Sequence, residues 1–119
     1  MPTIKQKQVT IVSVEYDLNV VQIGERVLIQ HDKQNQHDKH ALKVVREINK
    51  TDIGFVAASP HTIKNGCVSN SDILRNIPSD TIPLIGKVVR KAEVNYRNGD
   101  IVTVLIVEVN VVEPDVKAG

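Results

Sequence analysis

Apolar residues along the chain fall into short alternating runs, not into stripes at helical spacing. Lys7 to Tyr16 reads as a first strand, with Val12, Val14 and Tyr16 on one parity and Val9 and Ile11 on the other. Val20 to Gln30 reads as a second, with Gly24 marking a bend or bulge before Arg26-Val27-Leu28-Ile29. The polar stretch from His31 to His40 predicts a loop. Ala41 to Ile48 then alternates, Leu42 and Val44 on one face, Lys43 and Val45 on the other. Asn49-Lys50-Thr51 turns the chain into a short strand, Ile53 to Val56, which contains Gly54 and completes a hairpin. Ser59-Pro60 has the form of a helix start, Ser59 as cap and Pro60 at the first position, with Gly66 as its end. Ser71 to Asn76 predicts one more helical turn. Leu84 to Tyr96 and Asp100 to Val112 are the two longest predicted strands, joined across Asn98-Gly99, a strong hairpin signal. Ile101 to Val107 is almost wholly β-branched, which predicts burial on both faces.

Some six strands in 119 residues predict an all-β chain with one or two short helices, closed or half-closed into a small barrel. Closure removes edges that so valine-rich a sheet would otherwise expose. The pattern predicts one domain over 7–112, with 1–6 and 113–119 as loose ends. This length excludes a helicase motor or a nucleotide-binding enzyme with its own substrate domain. Aromatic residues are 3% of the chain (Tyr16, Phe55 and Tyr96), so the core is aliphatic. Cys67 is alone and forms no internal disulfide. No apolar run approaches the roughly 20 residues of a membrane span, and the first residues lack an apolar signal core. The expectation is a cytoplasmic protein with no membrane partner.

The formal net charge is +1, far from that of a generic polyanion binder. Cations do gather between Lys33 and Lys50, where Lys39, Lys43 and Arg46 join them against Asp38 and Glu47. A solvated strand edge is the first reading of such a run, ahead of a binding surface.

Residues 26 to 56 carry a family resemblance. Arg26-Val27-Leu28-Ile29 leads through a polar loop to Asn35-Gln36-His37-Asp38-Lys39-His40-Ala41-Leu42-Lys43-Val44, and Ile53-Gly54-Phe55-Val56 follows. This resembles the HIRAN domain, in which an Asn-x-aromatic-Asp-x-Asn-Ala-hydrophobic-x-Val run precedes an Ile/Leu-Gly-aromatic-hydrophobic strand. Asn35, Asp38, Ala41, Leu42, Val44 and Gly54 match; His37 and His40 replace the usual aromatic and Asn, and Phe55 fills the aromatic slot. The resemblance implies a six-stranded barrel of oligonucleotide-binding type that holds the 3′ end of single-stranded DNA, without catalysis or cofactor, in DNA repair or at stalled forks. It implies Tyr16 as a stacking ring, Phe55 as a second wall, Asp38 as reader of the 3′ hydroxyl, and Lys39 and Lys33 as phosphate contacts. Glu15 and Asp17 flank Tyr16, and Ala57-Ala58 follow the strand where the family carries cations. Binding with little generic salt dependence is therefore expected.

Each of these residues also has a plain structural role. Asp38 before a strand suits a turn, Gly54 suits a bend or a close backbone approach, Phe55 suits the core, and Tyr16 suits the end of a barrel with its hydroxyl in water. An alternative on the same barrel is a protein-interaction or homo-oligomerisation module using the strand edges of 84–112. A third is a metal-dependent hydrolase built on His31, His37 and His40, although their spacing matches no zinc finger. No Gly-x-Ser-x-Gly elbow and no phosphate-cradling glycine loop is present, and Cys67 with His61 makes only a loose pair. The reading is therefore of a binding module and not an enzyme.

Overall fold

Runs of Val, Ile and Thr suit a pleated, half-buried surface. The computed structural model describes residues 3–13, 16–32, 41–57, 64, 66–68, 73, 83–95 and 99–113. Its strands are β1 (Thr3–Val12), β2 (Arg26–His31), β3 (Leu42–Arg46), β4 (Asp52–Val56), β5 (Leu84–Asn95) and β6 (Ile101–Glu113). They close into a six-stranded barrel in the order β1-β4-β3-β2-β5-β6, every pairing antiparallel. The all-β small barrel expected from the pattern is the fold. No helix among the described residues is long and apolar enough to cross a membrane.

Two expected boundaries move. β1 begins at Thr3 and runs beside β6 as far as Glu113, so part of each expected loose end belongs to the sheet. The second predicted strand starts later than its apolar pattern suggested. Leu18–Val20 forms a short 3₁₀ turn capped by Asp17, whose carboxylate accepts from the Asn19 N–H at 2.9 Å. The chain then turns through Ile23-Gly24, and only Arg26–His31 pairs as β2. A capping side chain and a left-handed glycine end local pairing, whatever the hydrophobic run favours. The helix start at Ser59-Pro60 and most of the Ser71–Asn76 turn lie outside the described residues.

The interior follows strand parity. Val9 opposite Val107 and Ile11 opposite Leu105 point inward, as do Val27, Ile29, Leu42 and Val44. The outer face of β6 is also closed off. Val104 and Ile106 alternate with the interior residues, yet both are fully buried. Lys64 spans this face: its N–H donates to Thr10 Oγ1 on β1 at 3.1 Å and its ammonium to the Glu93 carbonyl on β5 at 2.9 Å. Burial on both faces thus holds for 104–107, while Ile101 at the start of β6 is exposed.

β4 departs from simple alternation. Val44 pairs with Gly54 and Val45 with Asp52, so Ile53 is the extra residue of a bulge. Bulges reorient the side chains that follow. Ile53 and Gly54 both take inward positions, and Phe55 is turned outward opposite Lys43 and Val12. Gly54 lies against β1 so closely that a Cβ there would overlap the Val12 carbonyl.

Candidate nucleic-acid interface

Tyr16 stands where β1 gives way to the 3₁₀ turn. Its N–H donates to Ser13 Oγ at 2.9 Å, a local bond that bends the chain over the barrel end. The ring packs partly against the interior cluster. Below it, strand parity continues past the last apolar layer. Glu25 precedes Val27 and Ile29 on one inward row; Arg46 follows Leu42 and Val44 on the next. The final inward places are therefore filled by opposite charges. Arg46 Nε donates to Glu25 Oε2 at 3.0 Å, and Nη2 pairs with Glu25 Oε1. Arg46 Nη1 donates to the Tyr16 hydroxyl oxygen at 3.2 Å. The bonds to Glu25, then that to Tyr16, hold the guanidinium pKa above the ordinary arginine value.

Glu25 is itself held by the backbone. Its N–H donates to the Gln22 carbonyl at 3.1 Å, and its carbonyl accepts from the Val88 N–H at 2.9 Å. By contrast, the Arg26–Glu47 pair at 2.6 Å is largely exposed, a kind worth little.

Tyr16 and Phe55 border one cleft of about 250 Å³, walled also by Val12, Ser13, Asp52, Ile53 and Gly54. The bulge is the reason. With regular alternation Phe55 would enter the core, as its apolar character alone suggests; shifted by one place, it is 40% exposed on the cleft wall. Lys43 shares that outer face directly opposite Phe55. A second cleft, of about 320 Å³, borders the other side of Tyr16 and includes Asp17, Asn19 and Thr103. Asp17 caps the turn beside the site, so part of its carboxylate's hydrogen-bonding capacity is used locally.

Two of the residues selected from the sequence, Tyr16 and Phe55, are thus brought together. Asp38, Lys39 and Lys33 lie outside the described residues, as do His37 and His40. The segment that carries them leaves and rejoins the sheet at a closed point, where the Asp32 N–H donates to the Ala41 carbonyl at 2.8 Å. That point adjoins the Lys43–Phe55 rung, because Leu42 is the neighbour of both Ala41 and Lys43. His31 ends β2 opposite Leu42. Among the described residues, no three His, Cys, Asp or Glu side chains form a group that could hold a metal ion.

Glu25 and Arg46 were not singled out as site residues. Arg46 entered the sequence reading only as one cation in a basic run. The missed signal is parity: in Leu42-Val44-Arg46 a charge occupies a core-facing place, which requires a partner. Comparison with family models, curated proteins and solved structures finds no match for this chain.

Proposed function

We propose that this barrel is a non-catalytic nucleic-acid-binding module of HIRAN type that takes the 3′ end of single-stranded DNA into the Tyr16–Phe55 cleft. The observation that carries the reading is that these two aromatic residues, distant in the chain, line one cleft of about 250 Å³. That volume lies below the ~300–1,000 Å³ of drug-sized sites and suits a single ring system better than a whole cofactor. Stacking on an aromatic side chain supplies about 1–3 kcal/mol per base and tolerates any base. Lys43 pairs with Phe55 across the β3–β4 ladder, which supports it as the contact for a backbone phosphate. The resemblance adds Asp38 as acceptor for the terminal hydroxyl; a carboxylate there repels a terminal phosphate. In this reading the protein works in the cytoplasm on ends exposed at damaged or stalled DNA.

Fluorescence anisotropy with 5′-labelled single strands bearing either a 3′ hydroxyl or a 3′ phosphate tests the proposal. The hydroxyl form is expected to bind more tightly, and Asp38→Ala to erase the difference. Equal or absent binding of the two forms by the unsubstituted protein refutes end recognition.

A further inference from the structure

We propose that the Glu25–Arg46 pair is a positioning device for Tyr16, which holds the ring across the barrel mouth and leaves its hydroxyl proton free to be donated to a ligand in the cleft. The donation to a ligand rests on the nucleic-acid reading of the cleft; the positioning of the ring does not.

The geometry decides the direction of each hydrogen bond. A guanidinium has donors and no acceptor, so the phenol oxygen can only accept from Arg46 Nη1. The phenol proton is consequently not used on Arg46 and needs an acceptor elsewhere. Glu25 meets the same guanidinium with both carboxylate oxygens, a two-point contact that fixes its plane as well as its place. Side-chain exposure is only 15% for Arg46 and 22% for Glu25, so water screens the pair less than it would an open surface pair. The supports of the two charges are rigid: Glu25 is tied to Val88 of β5, and Arg46 sits in β3 with its N–H donated to the Thr51 carbonyl at 3.0 Å. A ring held from one edge in this way stays fixed beside the cleft that Tyr16 lines. The charge beneath it is already neutralised, so the array orients a stacking surface and does not attract phosphate. An acceptor atom on the ligand, a base carbonyl or a sugar–phosphate oxygen, completes the outward bond.

The test uses the full chain with Tyr96→Phe as background, which leaves Tyr16 as its single tyrosine. Ring-flip rates of labelled tyrosine are measured by NMR without ligand, and affinity by anisotropy with a short 5′-labelled oligodeoxythymidine ending in a 3′ hydroxyl. Arg46→Met and Glu25→Gln are each expected to speed ring flipping about tenfold or more, with Arg46→Lys between them and the parent. Tyr16→Phe is expected to weaken binding about fivefold to tenfold when Arg46 is present, and to add no loss in Arg46→Met. Glu25→Gln, which changes shape little, guards against a variant that loses its fold. Unchanged flip rates in both natively melting variants overturn the positioning role. Equal losses from Tyr16→Phe in the two backgrounds overturn the outward donation. Absence of oligonucleotide binding by the parent overturns the nucleic-acid reading and the donation with it, while the flip rates still decide the positioning.

Discussion

Arg46 carries its charge into a place that strand parity reserves for the core, and it is accepted there because Glu25, the residue just before β2, meets it. A buried or half-buried charge is costly alone and tolerable when paired and hydrogen-bonded. The bonds to Glu25 and Tyr16 raise the arginine pKa in the folded state. A group raised on folding contributes its stability below its unfolded value and loses it only as pH climbs through the folded one. That window lies beyond the range in which proteins are handled. The difference in Tm between the parent and Arg46→Met is therefore expected to stay constant from about pH 6 to about pH 9 in thermal melts. Phe55 has the opposite character: an apolar ring kept out of the core. Phe55→Ala is expected to weaken oligonucleotide binding about tenfold, consistent with the loss of one stack, with little change in Tm because the ring is already 40% exposed. Anisotropy and melting of the same sample separate the two effects.

At the scale of elements, β4 determines whether the cleft exists. The alternation of 41–48 and the Ile53–Val56 run were legible as a hairpin, and β3 and β4 are where that reading put them. The bulge between them was not legible. An extra residue is recognisable only once the partner strand's register is known, and that register depends on β1 as well as β3. Gly54 was legible as a bend or a close approach; the structure supplies the reason, the Val12 carbonyl. Among the described residues the β1–β4 seam pairs Ile11 with Val56 and Val12 with Phe55, a short ladder with little pairing to absorb a clash. Gly54→Ala is expected to cost about 1–3 kcal/mol through overpacking, read as a lower midpoint in urea. The 3₁₀ turn shows the converse error. An apolar run from Val20 looked like strand, but the local cap from Asp17 and the turn at Gly24 prevailed.

For the molecule as a whole, β6 organises the packing. It pairs with β1 on one side and β5 on the other, and over 104–107 its outer residues are covered as fully as its inner ones. Ile106→Ala is therefore expected to destabilise like an interior substitution, by about 2–5 kcal/mol in denaturant titration. A barrel with an ordinary one-sided wall would lose far less. Net charge acts at this scale too. With a formal charge of +1, the chain carries no large excess of cations to drive generic counterion release. Each neutralised phosphate of a single strand contributes about 0.7 to the slope of log affinity against log salt. One or two such contacts predict a slope of magnitude about 1, measured by anisotropy across a salt series.

The amino-acid sequence by itself determined the all-β class, the strand-rich halves, the hairpins and the aliphatic core, because period-two alternation and turn residues act over a few neighbouring positions. Its resemblance to a known family also singled out Tyr16 and Phe55. Only the tertiary structure decided that these two residues share a cleft, that Phe55 faces out and that a charged pair closes the barrel end beneath Tyr16. Those outcomes depend on register between strands far apart in the chain, and one residue of slip there exchanges inside for outside.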